Sequence, residues 1–387
     1  MKRALVAAVI VMLILTTIAG SQDVGAVSKT IVVPDDYPTI TVAVDNAADG
    51  DTILVKSGTY EGPIGQTIVI DKTLTIIGEN VENTVIKLYP AYNVSTILWY
   101  AYYDYSDAID IVADDFRLLN LNVVIPALTS TPSLPGYMVV SQKGGGISAT
   151  GDRIEIAGNK ITTRFSVKGS YCKISNNVAA ALYLNGSFNE VSRNSLGISI
   201  EGASNIIKDN VCTALHLSHS NSNFVSGNKV LSTSAGYSGI DVSWSDNNVF
   251  CGNEIYGFTY GFRLWFSSGN MIVQNTIDDP DVIKISVASM SFGNSSNNRI
   301  YLNNFIDDHA QYVYDFYTDG SFRSFFPDMT PSPNFWDNGT RGNYWENYFV
   351  SDENGDGVGD TPYIIDENNQ DNYPLMEMAP VIPEFSS

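Results

Sequence analysis

Short stretches of alternating apolar residues recur along the chain, and asparagine follows each of them at a regular position. In the most regular units one Asn stands five residues before another, with apolar residues beside each, as in NNVFCGNEI from Asn247 to Ile255. Successive units are 16 to 18 residues apart at their closest and 22 to 28 apart elsewhere. The second asparagines of these pairs are Asn194, Asn210, Asn228, Asn253, Asn275 and Asn303, and two earlier units keep only Asn159 and Asn177.

Each unit has the length of one coil of a parallel β-helix. Helical repeats are usually longer than thirty residues, so the unit is too short for one. Asn tolerates the left-handed backbone of a corner, and its amide can bond to the Asn of the next coil, about 4.8 Å away. We therefore predict an all-β fold, a single-stranded right-handed parallel β-helix (a solenoid). The repeated short strands are Leu182–Leu184, Ile198–Ile200, Leu215–Leu217, Ile240–Val242, Phe262–Leu264 and Ile285–Val287.

The ends of such a solenoid expose unpaired strand edges, so both ends need caps. Near the N-terminus the pattern predicts a strand, a short helix and a strand, with the helix beginning near Asp36 or Tyr37 and Gly50 just past its end. Its apolar face comprises Ile40, Ala43, Val44 and Ala47. The predicted divisions are a signal peptide (1–26), an N-terminal cap and first coil (27–62), the β-helix (63–320), a C-terminal cap (321–378) and an extended tail (379–387).

The N-terminus is typical of an exported protein. A basic Met-Lys-Arg start precedes an apolar run from Ala4 to Ala19, which is short for a membrane span and suits a signal peptide. An uncleaved anchor is the alternative. No later segment approaches 18 apolar residues, so we expect no stable membrane span in the mature chain and a secreted or cell-surface location.

The chain is acidic, with 42 Asp and Glu against 21 Lys and Arg and a net charge of -21. A field of this sign repels phosphate backbones, so we expect no nucleic-acid partner. Three cysteines, Cys172, Cys212 and Cys251, match no zinc or redox spacing. The repeat places them at different corners and in coils that are not adjacent, about 9–10 Å apart or more, beyond disulfide reach. We predict buried free thiols.

Beyond the repeat, the two end motifs carry a family resemblance. The segment VPDDYPTITVAVDNAADGDTILVKSGTYEG, the Asn-pair coils and the closing GNYWENYF, DENGDGVGDTPYIID and DNYPLM resemble the NosD-like right-handed parallel β-helix proteins, in particular archaeal cell-surface members. The resemblance covers nearly everything after the signal peptide. It implies a fold shared with carbohydrate-binding proteins and sugar hydrolases, and it leaves the activity open. The family name is tied to copper, but 3 His, 3 Cys and 8 Met without clustering do not support a copper site.

A loop near the C-terminus has the residue pattern of a calcium site. DENGDGVGD begins like an EF-hand loop, although the twelfth position is Tyr363 where that motif has Glu. We predict a shortened loop that holds a structural Ca²⁺. The alternative is an acidic, Gly-rich surface turn without an ion. The predicted oxygen ligands are Asp352, Asn354, Asp356, the Val358 carbonyl and Asp360.

The middle residues of the repeated strands should face solvent in one column, which we call the polar stripe. Its members are Tyr183, Ser199, His216, Asp241, Arg263 and Ser286. A second outward column holds Glu201 and Trp265, and inserted loops bring Tyr256 and Tyr260 to the rim. Aromatic side chains beside polar ones suit an extended polysaccharide. The alternative is an ordinary solvated surface.

These features lead to two functional hypotheses. The first is an exported, non-enzymatic surface protein that binds polysaccharide or serves as an envelope component. The second is a polysaccharide-active enzyme, a lyase, glycoside hydrolase or epimerase, in which His216 or Asp241 acts as base and Arg263 stabilises charge. The sequence indicates no oligomeric state.

Overall fold

A computed structural model describes residues 28–97, 100–126, 138–143, 145–278, 285–290, 293–306, 313–315, 333–366 and 368–380. The predicted signal peptide (1–26) and most of the predicted tail (379–387) lie outside these residues. The chain forms a right-handed parallel β-helix, which confirms the predicted fold class.

The first wall of the β-helix is a sheet of twelve parallel strands, one from each coil. Their middle residues point inward and stack on one another, as Val225, Phe250 and Ile272 do across three consecutive coils. The strands are Thr30–Val33, Thr52–Val55, Thr75–Gly78, Arg117–Leu119, Glu155–Ala157, Lys173–Ser175, Glu190–Ser192, Ile206–Lys208, Phe224–Ser226, Val249–Cys251, Met271–Val273 and Arg299–Tyr301.

The other two walls join into one sheet of twenty strands, because several strands continue through the bend between them. Its strands are Gly58–Ile64, Ile68–Ile70, Thr84–Tyr89, Ile109–Val112, Asn122–Val124, Ile147–Thr150, Lys160–Ile161, Arg164–Lys168, Val178–Asn185, Ser195–Glu201, Val211–Cys212, Leu215–Ser218, Lys229–Ser243, Glu254–Trp265, Thr276–Asp278, Ile285–Met290, Gly293–Asn294, Asn304–Ile306, Val313–Asp315 and Tyr344–Trp345.

Two buried ladders of asparagine run along the solenoid. The Asn210 amide N–H and Nδ2 both donate to Asn228 Oδ1, at 3.0 and 2.9 Å, while Asn228 bonds in the same way to Asn253. This confirms the predicted stacking. The long ladder is Asn159, Asn177, Asn194, Asn210, Asn228, Asn253, Asn275, Asn303 and Asn343. The short ladder is Asn189, Asn205, Asn223, Asn248, Asn270, Asn298, Asn334 and Asn369.

The N-terminal cap contains a helix, Ile40–Asn46, whose buried residues include Ile40 and Val44 as predicted. The helix begins later than the predicted Asp36 or Tyr37. Thr39 is its N-cap, and the Thr39 hydroxyl accepts a hydrogen bond from the Val42 amide at 3.2 Å. A hydroxyl that satisfies a free amide of the first turn sets the start of the helix, and Pro38 precedes this cap.

The C-terminal cap closes both ladders. The amide of Asn343 donates to Asp371 Oδ2 at 2.7 Å, and that of Asn334 donates to Asn369 Oδ1 at 2.9 Å. A buried indole shares each acceptor: Trp345 Nε1 lies 2.9 Å from Asp371 Oδ2, and Trp336 Nε1 lies 3.1 Å from Asn369 Oδ1. The cap strands Tyr363–Ile364 and Gln370–Asp371 form an antiparallel pair.

A small sheet is inserted into the early coils, and it stands apart from the three walls. Tyr92–Ile97 pairs antiparallel with Tyr100–Tyr105, which pairs in parallel with Met138–Lys143. No helix among the described residues is long and apolar enough to cross a membrane. The three cysteines are free and buried, as predicted.

Candidate functional site

The register of the parallel strands places the polar stripe in one column along the helix axis. Asp241 is paired with His216 in the preceding coil and with Arg263 in the following one. Ser199 pairs with His216 on one side and with Tyr183 on the other. Five consecutive coils therefore present these side chains about 4.8 Å apart.

His216, Asp241 and Arg263 form a contact cluster, which we call the polar cluster. The Asp241 carboxylate accepts hydrogen bonds from Arg263 Nη2 and, at 3.1 Å, from the Ser243 hydroxyl. His216 Nδ1 is 3.8 Å from Asp241 Oδ2, within ion-pair distance but too far for a hydrogen bond. The side chain of Asp241 is 13% exposed, that of Arg263 is 21% exposed, and that of His216 is 40% exposed. The imidazole is thus the most accessible group of the three.

The second predicted column also contributes to this face. The Asn185 amide donates to Glu201 Oε2 at 2.9 Å, so these two outward residues are tied across adjacent coils. Trp265 lies one coil beyond Ser243, and the Arg263 guanidinium is 5.4 Å from the centre of its ring. A cation over an aromatic face holds both side chains in place.

The two predicted rim loops are strands, and this changes the position of two tyrosines. The strands Lys229–Ser243 and Glu254–Trp265 run through the segments expected to be loops. Tyr260 is only 8% exposed, so its predicted place at the rim is wrong. Tyr256 is half-buried, its hydroxyl donates to Glu254 Oε2 at 3.2 Å, and burial together with that carboxylate raises its pKa.

A groove of about 990 Å³, which sequence reasoning missed, lies between the inserted sheet and the early coils. We call it the tyrosine groove because Tyr89, Tyr92, Tyr105 and Tyr183 line it together with Arg164. Tyr92 and Tyr105 are in contact, with ring centres 5.4 Å apart. The sequence signal was the Tyr-rich segment 97–107, which could be a sugar-stacking patch or a loop packed on the β-helix, and it did not show what the segment packs against.

The tyrosine groove opens onto the polar stripe through Tyr183. Tyr183 is 47% exposed, and it also lines a second depression of about 310 Å³ with Lys168, Asn185, Ser199 and Glu201. The guanidinium of Arg164 is 5.8 Å from the centre of the Tyr183 ring. One continuous face therefore runs from the groove, through the depression, to the polar cluster two coils further on.

A carboxyl group with an altered pKa lies beside the groove. Asp107 follows Tyr105 by two residues, and its pKa is raised by burial and by the nearby Asp110. A hydrogen bond from the Gly146 amide and the charge of Arg164 oppose that rise. A carboxyl group of this kind can hold a proton more readily than an exposed one.

In the predicted calcium loop the carboxylates accept hydrogen bonds from the loop's own amides. Asp352 accepts from Gly355 at 2.8 Å and from Gly357 at 2.9 Å, and Asp360 accepts from Glu353 at 2.8 Å. Across the described ranges no group of three or more His, Cys, Asp or Glu side chains is arranged to hold a metal ion. Calcium binding through Asp352, Asn354, Asp356, Val358 and Asp360 stays a prediction.

The three thiols do not form a shared ligand set for a soft metal such as copper. Thiol ligands bind metal as thiolates, but burial raises the pKa of Cys212 to about 12 and that of Cys251 to about 11. Each thiol is buried in a different coil, and Cys172 also has a pKa raised mainly by burial. Three protonated thiols that lie apart cannot form a shared soft-ligand set.

Comparison with known proteins supports the fold and gives the family. No curated protein matches the chain in sequence. The A-module of mannuronan C-5 epimerase AlgE6 from Azotobacter vinelandii is similar with a TM-score of 0.50 at 13% identity, over 79% of this chain and 87% of that one. The AlgE4 A-module of the same organism has a TM-score of 0.48 at 13% identity, over 74% and 86%.

The catalytic domain of a GH87 alpha-1,3-glucanase has a TM-score of 0.45 at 12% identity, over 80% of this chain and 69% of that one. At 13% identity the likeness to the AlgE6 A-module shows the fold alone. Residues 129–349, more than half of the chain, match the family described as periplasmic copper-binding protein (NosD). The chain therefore belongs to the NosD family of parallel β-helix proteins.

Proposed function

We propose that this protein is an exported polysaccharide-binding protein that holds an extended glycan along the face from the tyrosine groove to the polar cluster. The observation that carries the proposal is the groove of about 990 Å³, lined by four tyrosines and continuous with the polar stripe through Tyr183. Ligand sites in proteins are concave, largely apolar and edged by a few polar groups, and this groove has that character.

The geometry of the face suits a polymer. Outward residues repeat about every 4.8 Å along the axis, so a chain of sugar units lying on the stripe meets a new row of side chains at each coil. Tyrosine rings offer an apolar surface to the C–H groups of a sugar and a hydroxyl to its oxygens. A binding protein needs no carboxylate that is free to act as a base. This agrees with the Asp241 carboxylate, which accepts hydrogen bonds from Arg263 and Ser243.

A polysaccharide-active enzyme is the second candidate. His216 favours it, because the imidazole is 40% exposed and lies 3.8 Å from Asp241, where it can take up or release a proton. The AlgE6 A-module, which has a similar fold, is a mannuronan epimerase. In this alternative Arg263 neutralises developing negative charge.

Export is part of the proposal, and two features support it. The family description names the periplasm, and the sequence begins with a basic start and the apolar run Ala4 to Ala19. A periplasmic or cell-surface location places the polar stripe where envelope polysaccharides occur.

A glycan array followed by calorimetric titration tests the binding function. For a glycan that binds, Tyr183→Ala should weaken the affinity by about tenfold or more, since it removes the ring shared by both depressions. Tyr171→Ala is the matched control, because Tyr171 is 59% exposed and lines neither depression. Equal affinities for wild type and Tyr183→Ala would contradict the proposal. Turnover of a bound glycan that His216→Gln abolishes would establish the second candidate instead.

A further inference from the structure

Each outward strand that carries a polar-stripe residue is followed by a corner. The residue type at the first position of this corner changes in the three coils that hold the polar cluster. In the three preceding coils glycine stands at the first position after the outward strand: Gly169, Gly186 and Gly202. A Cβ there would lie 1.8 to 2.0 Å from a carbonyl oxygen of the preceding coil, so no side chain fits. In the next three coils the residues at this position are His219, Trp244 and Phe266, which we call the aromatic corner.

The aromatic corner has a strained backbone. Its three residues have φ values of 51°, 53° and 50°, in the left-handed region that bulky L-residues rarely adopt. Asn occupies left-handed positions at other corners, for example Asn247 and Asn176. Gly or Asn would therefore form this turn with less strain.

The aromatic side chains are stacked and open to solvent. The ring centres of Trp244 and Phe266 are 4.0 Å apart with planes 12° apart, and His219 stacks on the other side of Trp244 at 6.3 Å. Trp244 is 48% exposed. Each ring follows the outward strand that carries one member of the polar cluster, so an apolar wall runs beside the cluster through the same three coils.

The chemistry of this wall and cluster favours an uncharged sugar. The Asp241 carboxylate is bonded to the Arg263 guanidinium, so the pair offers an acceptor and donors side by side with little net charge. Sugar hydroxyls donate and accept, and they match such a pair. A polyanionic glycan would meet the repulsive field of a chain whose net charge is -21.

We propose that the aromatic corner and the polar cluster form a second subsite, which binds a unit of a neutral polysaccharide. This inference rests on the proposed binding function and adds to it the class of ligand and the residues of the second contact. The sugar unit lies against the outward edges of the stacked Trp244 and Phe266 rings, while its hydroxyls bond to Asp241, Arg263 and His216.

Two variants with matched backbones test the subsite. Trp244→Asn keeps a residue suited to left-handed φ and removes the indole, while Phe188→Asn does the same at another exposed, stacked position (55% exposed, φ 60°). Binding of neutral glucans, galactans and a polyuronate is measured by calorimetry at low and high ionic strength, and Tm is measured for each variant. Trp244→Asn should weaken binding of the neutral glycan about tenfold. Its Tm should be close to that of Phe188→Asn. Phe188→Asn should bind the glycan with the affinity of wild type.

The outcomes separate the two proposals. If Tyr183→Ala weakens binding but Trp244→Asn does not, the second subsite is wrong and the tyrosine groove stands. Tighter binding of the polyuronate than of any neutral glycan would overturn the assignment of ligand class. If wild type binds none of the polysaccharides, both the binding function and the subsite fall. Weakening by Trp244→Asn that is independent of ionic strength supports the subsite, because contacts with an uncharged sugar are not screened by salt.

Discussion

The carboxylate of Asp371 terminates the long asparagine ladder by accepting the backbone amide of Asn343 at 2.7 Å. Every earlier step of that ladder ends on an amide oxygen, whereas this last step ends on a fully buried carboxyl group. Burial raises the pKa of Asp371 to about 6, although N–H groups of Asn343, Trp345 and Tyr373 donate to it and oppose that rise. Asp371 is therefore a pH-sensitive carboxyl group at the end of the solenoid.

We predict that this group makes the protein less stable as the pH rises from about 4 to about 6. The pKa of Asp371 in the folded state lies above its ordinary value of 3.8, so the folded state binds the proton more tightly than the unfolded state does. The resulting stabilisation is complete below pH 3.8. It is lost as the pH rises and Asp371 ionises in the folded protein. The gap between 3.8 and about 6 corresponds to about 3 kcal/mol. Thermal unfolding of wild type and Asp371→Asn across this range measures the effect.

In that experiment the difference in Tm between wild type and Asp371→Asn should change with pH between 4 and 6 and level off above it. Asp45→Asn is the control, because Asp45 is exposed and should give a small difference at every pH. Parallel curves for wild type and Asp371→Asn would show that Asp371 has an ordinary pKa in the folded protein.

Removal of one ladder amide should destabilise the solenoid strongly. In Asn228→Ala the Asn210 amide N–H and Nδ2 lose their acceptor, and Ile207 loses the bond to its carbonyl. Buried polar groups left without partners cost about 1–3 kcal/mol each, so the free energy of unfolding should fall by about 3 kcal/mol or more. Chemical denaturation measures it.

Asn185→Ala serves as the comparison for the ladder variant. Asn185 is exposed and makes one hydrogen bond to Glu201, so we expect a loss below about 1 kcal/mol. Similar losses for Asn228→Ala and Asn185→Ala would mean that the buried ladder contributes no more than a surface contact.

We propose that the loop from Asp352 to Asp360 binds calcium and ties the C-terminal cap. Its alternating oxygen side chains and its two left-handed glycines, Gly355 and Gly357, form a compact acidic turn beside the buried cap. Ca²⁺ at 100 times its dissociation constant would stabilise the folded state by about 2.7 kcal/mol. Tm should therefore rise with added Ca²⁺ and fall with chelator.

The calcium experiment uses wild type with and without chelator, and Asp356→Asn as the variant. Asp356→Asn removes one charge from the loop and should reduce the Ca²⁺-dependent rise in Tm. Mg²⁺ at the same concentration is the control, since it prefers a smaller octahedral site. An unchanged melting curve in excess chelator would contradict calcium binding by this loop.

Neighbouring coils repeat one sequence pattern, so the sequence predicts which residues of one coil stack on which residues of the next. The spacing of Asn210, Asn228 and Asn253 indicated a ladder, because equivalent residues of stacked coils face each other at one rung's distance. The same register predicts that His216, Asp241 and Arg263 align, and the paired strands place them in one column. Burial of the three thiols followed from their places within the repeat.

Only the tertiary structure decided what departs from the repeat. Tyr260 is buried because the strand Glu254–Trp265 continues where the sequence suggested a loop, and extra residues in a coil do not reveal whether they extend a strand or leave the sheet. The tyrosine groove unites Tyr92 with Tyr183, which are 91 residues apart and belong to different kinds of segment. The sequence by itself determined the solenoid and its outward column, since those depend on local spacing. The groove and the Asp371 terminus depend on long-range packing, which no local pattern encodes.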